Sequence, residues 1–348
     1  MKIKMPFVNT FIIAEAGSNW KTGTYEKDLI RAKKLIVTAA KSGADAIKFQ
    51  TFRANSVYAK NSGTSNYLSK QGINENIEKI FDNLSMPYEM IPELAKMCKN
   101  NNIHFMSTPF SIEDAKQIDP FVEIHKIASY EINHVRLIEF LANTKKPILI
   151  STGASTIKEI DFAVNLCKKM KNENIILLQC TSKYPAPLSS INLSVIKTLR
   201  KKYNIPVGLS DHSIEPTIAP VLSLGFGSSV IEKHFTLNKN LPGPDHSFAL
   251  EPDELQKMVK SIRNAESAIG KEKKGVLEIE KELQKFAKRS LQAINEIKKG
   301  DILKEGKNFD VLRPGNNTRG LEARFLTKCN GKKAIKDIKI GEGITEYE

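Results

Sequence analysis

The chain has 348 residues, of which 41% are hydrophobic and 26% are charged, as in an ordinary globular protein. This length is enough for one large domain and a small one. No apolar run approaches the length of a membrane span, which argues against a membrane protein. The start, MKIKMPFVNT, lacks the apolar core and cleavage site of a signal peptide, so we expect a cytoplasmic protein.

The net charge of +14 makes nucleic acid the first partner to consider. Many of the lysines lie in helix-like segments such as RAKKLIVTAAKSG and LCKKMKNEN, where their spacing is typical of solvated helix faces. Neither a recognition motif nor an aromatic platform accompanies them. We therefore expect no nucleic-acid binding, and the basic bias suits an enzyme that collects a multiply anionic small substrate.

Eight short apolar runs alternate with longer amphipathic patterns along the first 270 residues. In chain order the runs span 11–17, 44–51, 103–109, 123–129, 147–153, 175–180, 206–211 and 229–235. The helical patterns include 25–42, 87–101, 156–171, 189–203 and 251–269. Continuous apolar strands alternating with helices indicate a parallel sheet. Eight such units predict an α/β fold, a closed (β/α)8 TIM barrel over residues 1–270.

An open, doubly wound sheet is the alternative fold. Such a sheet usually carries a glycine-rich turn after its first strand. The turn here, EAGSNWKTGTY, does not match G-x-G-x-x-G, which favours the barrel.

Two segments fall outside the repeat. Residues 52–85 are rich in Asn, Ser, Lys and Gly with few apolar anchors, and in a barrel they would lie on the catalytic face or cover it. After Gly270, the charged segment 271–285 predicts a linker with a short helix. Residues 286–348 then predict a small β-rich domain, which at that size leans on another surface for stability.

Polar or ionisable residues follow nearly every predicted strand. In a (β/α)8 barrel the functional groups lie at the carboxyl ends of the strands. The candidates in chain order are Glu15, Lys48, Thr108, Lys126, Ser129, Glu131, Ser151, Ser182, Tyr184, Ser210, His212 and His234. A strand has to end in something polar, which accounts for several of these residues singly. The combination of lysines, acids and histidines indicates a functional site.

His212 and His234 come at the ends of neighbouring strands, which lie ~5 Å apart in a sheet. Either histidine alone would be an ordinary residue of the barrel mouth. Two imidazoles at matching ends, beside Asp211 and Glu232, can share one divalent metal. We expect a divalent cation, with manganese favoured. Magnesium is also possible, because two histidines plus water suit several cations.

Lys48 and Lys126 come from separate strands that converge at the mouth of the barrel. Together with the hydroxyls of Ser129, Ser151 and Ser182 they suggest a cradle for phosphate and carboxylate groups. A Schiff-base lysine is the competing role. Two lysines among so many serines favour charge clamping over imine chemistry.

These strand ends, taken with GLSDHS, IEKHF, LPGPDHSF and LRPGNN, resemble the sialic acid synthase family over residues 11–346. The family includes N-acetylneuraminate, legionaminate and pseudaminate synthases. The resemblance implies condensation of phosphoenolpyruvate with an N-acetylated hexosamine, which yields a nine-carbon sugar acid and phosphate. It also implies a barrel followed by a C-terminal antifreeze-like (SAF) domain, in a domain-swapped homodimer.

The resemblance assigns roles to residues by their place in these motifs. His212 and His234 resemble the metal ligands, and Glu131 resembles the acid–base carboxylate. Lys48 and Thr108 resemble the residues that hold the phosphoenolpyruvate carboxylate. The remaining assignments are Lys126, Ser129, Ser151, Ser182 and Ser210 to the phosphate, Glu15, Tyr184 and Asp245 to the sugar, and Arg313 to the partner subunit's site.

Some positions depart from the family pattern or divide its branches. Many members read Asn-His where this chain reads Asn19-Trp20, and some sialate synthases have Asn where this chain has Ser182. KIASYE leans toward the pseudaminate branch, whereas LPGPDHSF leans away from it. We therefore favour N-acetylneuraminate or legionaminate synthesis, with pseudaminate synthesis as the alternative.

Two rival functions remain beside this interpretation. One is a phosphoenolpyruvate-dependent aldol synthase that acts on a phosphorylated sugar, against which the antifreeze-like segment argues. The other is a C-terminal domain that binds ice or carbohydrate with the barrel as its scaffold, against which the residues at the strand ends argue.

Overall fold

The eight apolar runs form eight parallel strands. The computed structural model describes residues 9–65, 69, 74–270 and 273–348. The chain divides into two compact units, Met1–Gly270 and Lys271–Glu348. The strands of the first unit are β1 Phe11–Gly17, β2 Ala46–Thr51, β3 His104–Pro109, β4 His125–Ile127, β5 Ile148–Ser151, β6 Ile175–Cys180, β7 Val207–Asp211 and β8 Val230–His234.

These strands form one sheet in the order β3-β2-β1-β8-β7-β6-β5-β4, and every hydrogen-bonded pair is parallel. The two end strands, β3 and β4, lie side by side without a hydrogen-bonded ladder between them in the described part of the chain. The sheet is thus a nearly closed barrel, and the predicted (β/α)8 fold is confirmed.

Helices connect the strands and cover the outside of the barrel. Those of the first unit are Tyr25–Lys41, Ala54–Val57, Ile77–Leu84, Met90–Asn100, Ile112–Ile118, Val135–Asn143, Ile157–Lys169, Val195–Tyr203, Ile218–Gly225 and Pro252–Ile269. The helix Ile157–Lys169 begins at a reciprocal capping box formed by Thr156 and Glu159. Within the described residues, none of the helices is both long and apolar enough to cross a lipid bilayer.

Side chains alternate between the inside and the outside of the barrel, because successive residues of a strand point to opposite faces. One inward layer is apolar and includes Phe11, Ile13, Met106, Leu149 and Val230. The next inward layer, two residues further along each strand, is polar or charged. It contains Glu15, Lys48, Thr108, Lys126, Ser151, Ser210 and Glu232, all of them buried.

The same alternation explains why three ionisable residues can end β8. Ile231 faces the helices in the outer core, and Lys233 lies on the same outer side. The Lys233 ammonium donates to Asp211 Oδ2 at 2.5 Å and to the backbone carbonyl of Ser213 at 2.6 Å. Glu232 and His234 therefore point into the barrel. The charge of Lys233 is balanced by Asp211 on the outer side of the strand.

Described residues of the segment 52–85, among them Phe52, Tyr58 and Ile80, line a cavity at the mouth of the barrel, and they are better anchored than the composition of the segment suggests. The helix Ile77–Leu84 packs Ile77 and Ile80 into a small apolar cluster with Phe81 and Leu84. The expectation of few apolar anchors was wrong, because these residues recur at helical spacing within an otherwise polar stretch. Residues 66–68 and 70–73 of this segment lie outside the described residues.

The second unit contains the helix Lys281–Ala287, the antiparallel strands β9 Ser290–Ala293 and β10 Phe309–Leu312, and the short helix Leu326–Cys329. Its own core includes Leu291, Leu303 and Phe309. The boundary predicted between linker 271–285 and domain 286–348 falls inside the helix Lys281–Ala287, and residues 271–272 lie outside the described part. The separate linker 271–285 and this domain's antifreeze-like character stay predictions.

The buried pair behind β8 generates a stability prediction. Replacing Lys233 with Met leaves the Asp211 carboxylate buried without its cation, so we expect unfolding to become easier by about 3–5 kcal/mol. The measurement is urea unfolding of purified protein followed by circular dichroism. Lys239→Met is the matched control, because the Lys239–Glu254 pair is partly exposed and its loss should cost under about 1 kcal/mol. Equal losses in the two variants would contradict the prediction.

Candidate active site

Four buried charges meet at the carboxyl end of the barrel, and we call them the charge layer: Glu15, Lys48, Lys126 and Glu232. The Lys48 ammonium contacts the Glu15 carboxylate and donates to Thr108 Oγ1 at 2.8 Å. Glu232 lies between the lysines, with one carboxylate oxygen 3.7 Å from Lys48 Nζ and the other 3.7 Å from Lys126 Nζ. Two acidic and two basic side chains thus lie together, all of them buried.

Burial and the neighbouring charges shift the pKa values of these groups in different directions. Burial raises the pKa of Glu15 to about 7, against the opposing effect of Lys48. Burial also lowers the pKa of Lys126, although Glu232 acts in the opposite direction. For Glu232 the two ammonium groups outweigh burial and hold the pKa below its usual value. Glu232 therefore stays ionised and acts as the fixed counter-charge of the layer.

A group of small side chains beside Lys126 forms a cradle with room for an anion. Lys126 Nζ donates to Ser151 Oγ at 2.7 Å, and the Gly153 backbone N–H donates to Ser129 Oγ at 3.0 Å. Ser182 Oγ is buried and has no hydrogen-bond partner in the described part of the chain. A Cβ on Gly153 would overlap Ser182 Oγ and lie 2.9 Å from Ser129 Oγ, so only a glycine lets these two hydroxyls approach the backbone here.

Two imidazoles lie next to the cradle. The ring centroids of His212 and His234 are 5.4 Å apart, so the two side chains face the same mouth. His212 Nδ1 donates to the Thr181 carbonyl at 2.8 Å, since a carbonyl can only accept, and this leaves Nε2 of the neutral ring with its lone pair. His234 Nδ1 is buried and has no hydrogen-bond partner in the described residues.

The histidine pair fits a divalent cation whose other ligands come from water or a substrate. Burial holds the pKa of His234 well below its usual range, so the ring is neutral and able to ligate. Burial lowers the pKa of His212 too, but Cys180 and the Thr181 carbonyl more than offset it. Within the described residues, no group of three or more His, Cys, Asp or Glu side chains is placed to hold a metal. A cation bound here would have only two ligands among the described residues and would compete with a proton at His212.

A cavity of about 450 Å³ opens above the histidines, lined by residues that include Ser182, Tyr184, His234 and Asp245. Glu15 lies just below this polar floor, and Gln50 in the floor donates to it at 3.0 Å. The Tyr184 ring packs against His212 at 4.2 Å between centroids. Burial raises the pKa of Asp245 to about 6.

Two further predicted site residues, Glu131 and Arg313, make none of the contacts described above. Glu131 ends the 3-10 turn Ser129–Glu131 directly after the cradle serine, and burial alone raises its pKa to about 7. Arg313 is exposed and belongs to the second unit, directly after β10. The structure thus groups the barrel residues around one mouth. The predicted role of Arg313, which is to complete the partner subunit's site, stays a prediction.

Sequence reasoning missed several residues that shape the mouth. Glu232 was noted only as a neighbour of the histidines, although it lies two residues before His234 on the same face of β8. Gln50 likewise lies two residues after Lys48 on β2. The period of two in a strand was the signal that could have identified both. Trp20, the departure from the family's histidine, is fully buried in the outer core and does not line the cavity.

Comparison with known proteins places the chain among sugar-acid enzymes. A sequence model described as the NeuB family matches residues 35–274. The spore coat polysaccharide biosynthesis protein SpsE of Bacillus subtilis is 38% identical over 350 residues, which cover 96% of this chain and 92% of that protein. The crystal structure of SpsE superposes with a TM-score of 0.65 at 37% identity, covering 97% of this chain and 94% of that chain.

Two named synthases are equally similar. A pseudaminic acid synthase of Campylobacter jejuni is 38% identical, with 97% of this chain and 96% of the relative covered. An N,N'-diacetyllegionaminic acid synthase of the same species is also 38% identical, with 97% of this chain and 99% of the relative covered. The similarity therefore extends over both units and does not separate these two activities.

The close packing of two serine hydroxyls against Gly153 generates a prediction about anion binding. Gly153→Ala should displace the Ser129 and Ser182 hydroxyls, and we expect the affinity for inorganic phosphate to fall about 10-fold or more, as for loss of charge-assisted hydrogen bonds. The measurement is isothermal titration calorimetry. Gly225→Ala is the control, because a Cβ there meets nothing within 4 Å. Unchanged phosphate affinity in Gly153→Ala would show that the cradle is not an anion site.

Proposed function

Because the chain belongs to the NeuB family, it is a phosphoenolpyruvate-dependent synthase that forms a carbon–carbon bond, and we propose that it makes a sialic-acid-type sugar acid. The acceptor is an N-acetylated hexosamine, and the product is most simply N-acetylneuraminate or legionaminate. The observation that carries the proposal is the convergence of Lys48, Lys126 and three serine hydroxyls beside two histidines at one barrel mouth. A pair of ammonium groups suits a substrate that carries both a carboxylate and a phosphate.

In this proposal phosphoenolpyruvate lies across the charge layer. Lys48 and Thr108, which are hydrogen-bonded at 2.8 Å, bind its carboxylate. Lys126 and the hydroxyls of Ser129, Ser151, Ser182 and Ser210 bind its phosphate. Holding the enol carbon against the acceptor in this way supplies several kcal/mol toward the barrier, because positioning replaces a chance encounter.

The acceptor occupies the cavity above, in contact with Glu15, Tyr184 and Asp245. A divalent cation held by His212 and His234, manganese or magnesium, would polarise the oxygen of the open-chain aldehyde as a Lewis acid. The Thr181 carbonyl supports this assignment, because its bond to Nδ1 leaves the Nε2 lone pair of His212 available. Glu232 keeps the two lysines protonated and correctly placed during the reaction.

The reaction then balances as follows. The methylene carbon of phosphoenolpyruvate forms a bond to the aldehyde carbon as its double bond opens, and the aldehyde oxygen takes up a proton from solvent. Water adds to the resulting cationic carbon, and Glu131 accepts the proton that this water loses and later returns it to solvent. The tetrahedral intermediate finally expels phosphate by C–O cleavage, and the proton of its new hydroxyl leaves with the phosphate, which gives the keto acid.

Two alternatives stay open within the same chemistry. Pseudaminate synthesis is supported by KIASYE and by the similarity to the pseudaminic acid synthase. The other, a synthase acting on a phosphorylated sugar, is supported by a human N-acetylneuraminate-9-phosphate synthase that is 31% identical over 97% of this chain and 91% of that protein.

The proposal is tested by phosphate release. Purified protein is incubated with phosphoenolpyruvate, manganese or magnesium, and either N-acetylmannosamine, its 6-phosphate or a 2,4-diacetamido-2,4,6-trideoxyhexose. We expect phosphate with an unphosphorylated acceptor only, and none after treatment with EDTA. His212→Ala should fold normally but lose the metal-dependent rate. No release with any acceptor would refute the function, and full activity of His212→Ala without metal would refute the ligand assignment.

Glu131 predicts a pH dependence. Its pKa is raised to about 7 by burial, so the carboxylate that accepts a proton is lost as the pH falls below 7. We expect kcat to decline about tenfold per pH unit on that side. Glu131→Gln should lower kcat by roughly 10²–10⁴-fold and remove this dependence. If the decline persists unchanged in Glu131→Gln, the titrating group is instead Glu15, whose pKa is also about 7.

We also propose a domain-swapped homodimer in which Arg313 completes the partner's site. A heterodimer purified through two different tags tests this, with Lys48→Met in one subunit and Arg313→Ala in the other. We expect each homodimer to be nearly inactive. The heterodimer should keep roughly half of the activity, because one of its two sites is intact. A heterodimer as inactive as both homodimers would exclude supply of Arg313 across the interface.

A further inference from the structure

Three buried polar residues adjoin the two histidines in the sequence, and we call them the outer clamp: Asp211, Ser213 and Lys233. Asp211 and Lys233 are register partners on β7 and β8. Each comes directly before one of the histidines, His212 and His234 respectively. Because neighbouring residues of an extended chain point to opposite sides, Asp211 and Lys233 point away from the mouth at which the imidazoles lie.

The outer clamp holds the chain on both sides of His212. The Asp211 carboxylate accepts from the Ser213 backbone N–H at 2.8 Å and from the Ser213 hydroxyl at 3.0 Å. The Lys233 ammonium donates to the Ser213 carbonyl at 2.6 Å and to Asp211 Oδ2 at 2.5 Å. The two residues that flank His212 are thus tied to each other and to β8.

These contacts take over where the sheet stops. In the described part of the chain, the ladder between β7 and β8 ends at the pair of Asp211 and Lys233. His212 lies one residue beyond it, so the ladder does not fix its backbone. The ammonium has three protons to donate, and its acceptors are Asp211 Oδ2, the Ser213 carbonyl and the Ser213 hydroxyl. The outer clamp therefore continues the link between the two strands past the last ladder pair.

Stability alone does not call for charges at this place. Removing a lysine and an aspartate from water costs free energy that their attraction need not repay, and two apolar side chains of similar size often stabilise a fold as well or better. A metal site makes a stricter demand, because its ligand nitrogens have to lie within a few tenths of an ångström of their ideal positions. Groups behind the ligands commonly set that placement.

We propose that the outer clamp positions the histidine pair for its cation, with Lys233 and Asp211 setting the separation of the His212 and His234 backbones. This inference rests on the proposed function, since the cation concerned is the Lewis acid of the same reaction. Lys233 and Asp211 are positioning residues, because they act through the backbone of their neighbours and not by contact with the cation.

The experiment separates positioning from stability with a double variant. Asp211→Leu combined with Lys233→Met replaces both charges with apolar side chains of similar size, so it should keep most of the stability in urea that Lys233→Met alone loses. Manganese binding to the full-length protein without substrates is measured by electron paramagnetic resonance of the free ion. We expect the Kd of the double variant to be about 10–100-fold higher than that of the wild type.

Two further variants complete the design. Asp211→Asn combined with Lys233→Met should act in the same direction, and it serves if the first double variant folds poorly by circular dichroism. Lys202→Met is the matched control, because Lys202 pairs with Asp161 between two partly exposed helix residues at 3.1 Å. Its loss should leave the manganese Kd unchanged.

The outcomes distinguish this inference from the function on which it rests. A folded double variant that binds manganese as tightly as the wild type overturns the positioning role and leaves the proposed function standing. An equal loss of affinity in Lys202→Met overturns it as well, since the effect would then not be specific to the outer clamp. Wild-type protein that binds no more manganese than His212→Ala overturns the ligand assignment itself, and the inference with it.

Discussion

The Glu232 carboxylate is the interaction on which the arrangement of the barrel mouth depends. It lies 3.7 Å from both Lys48 and Lys126 and accepts a hydrogen bond from Ser210 at 3.1 Å. Without this counter-charge, two buried ammonium groups would repel one another and one would lose its proton. With it, the pKa of Lys48 lies above its usual value despite burial, and part of the lowering that burial causes at Lys126 is offset. The function proposed for the mouth therefore rests on an acid that need not touch the substrate.

The sequence predicted the barrel well because continuous apolar runs and amphipathic helices leave a strong periodic signal. The bounds of β1 and β6 coincide with the runs 11–17 and 175–180. The run 123–129 was too long, since only His125–Ile127 finds a partner strand. The strand-end rule also identified the barrel residues of the candidate site, because a parallel barrel brings all eight carboxyl ends to one mouth.

What the sequence left unresolved depends on contacts between distant segments. The residues next to Lys233 in the sequence do not show that Lys233 pairs with Asp211 on the outer side of the sheet. From the sequence, only the alternation of side chains along a strand indicated which way Glu232 and His234 point. Ile77, Ile80, Phe81 and Leu84 do follow a helical pattern, but the pattern is short and surrounded by polar residues. Its position over the cavity required the structure. Among the described residues 273–348, the second unit has two short strands, so its sequence gives few periodic clues.

The missing ladder between β3 and β4 gives the charge layer a mechanical role. β4 is three residues long and is held by hydrogen bonds on the β5 side alone. Lys48 on β2 and Lys126 on β4 stand on opposite sides of this seam, and Glu232 across the barrel braces both. An anion bound by both lysines would bridge the two sides of this seam. The stiffness of the barrel wall at the seam would then depend on whether the mouth is occupied.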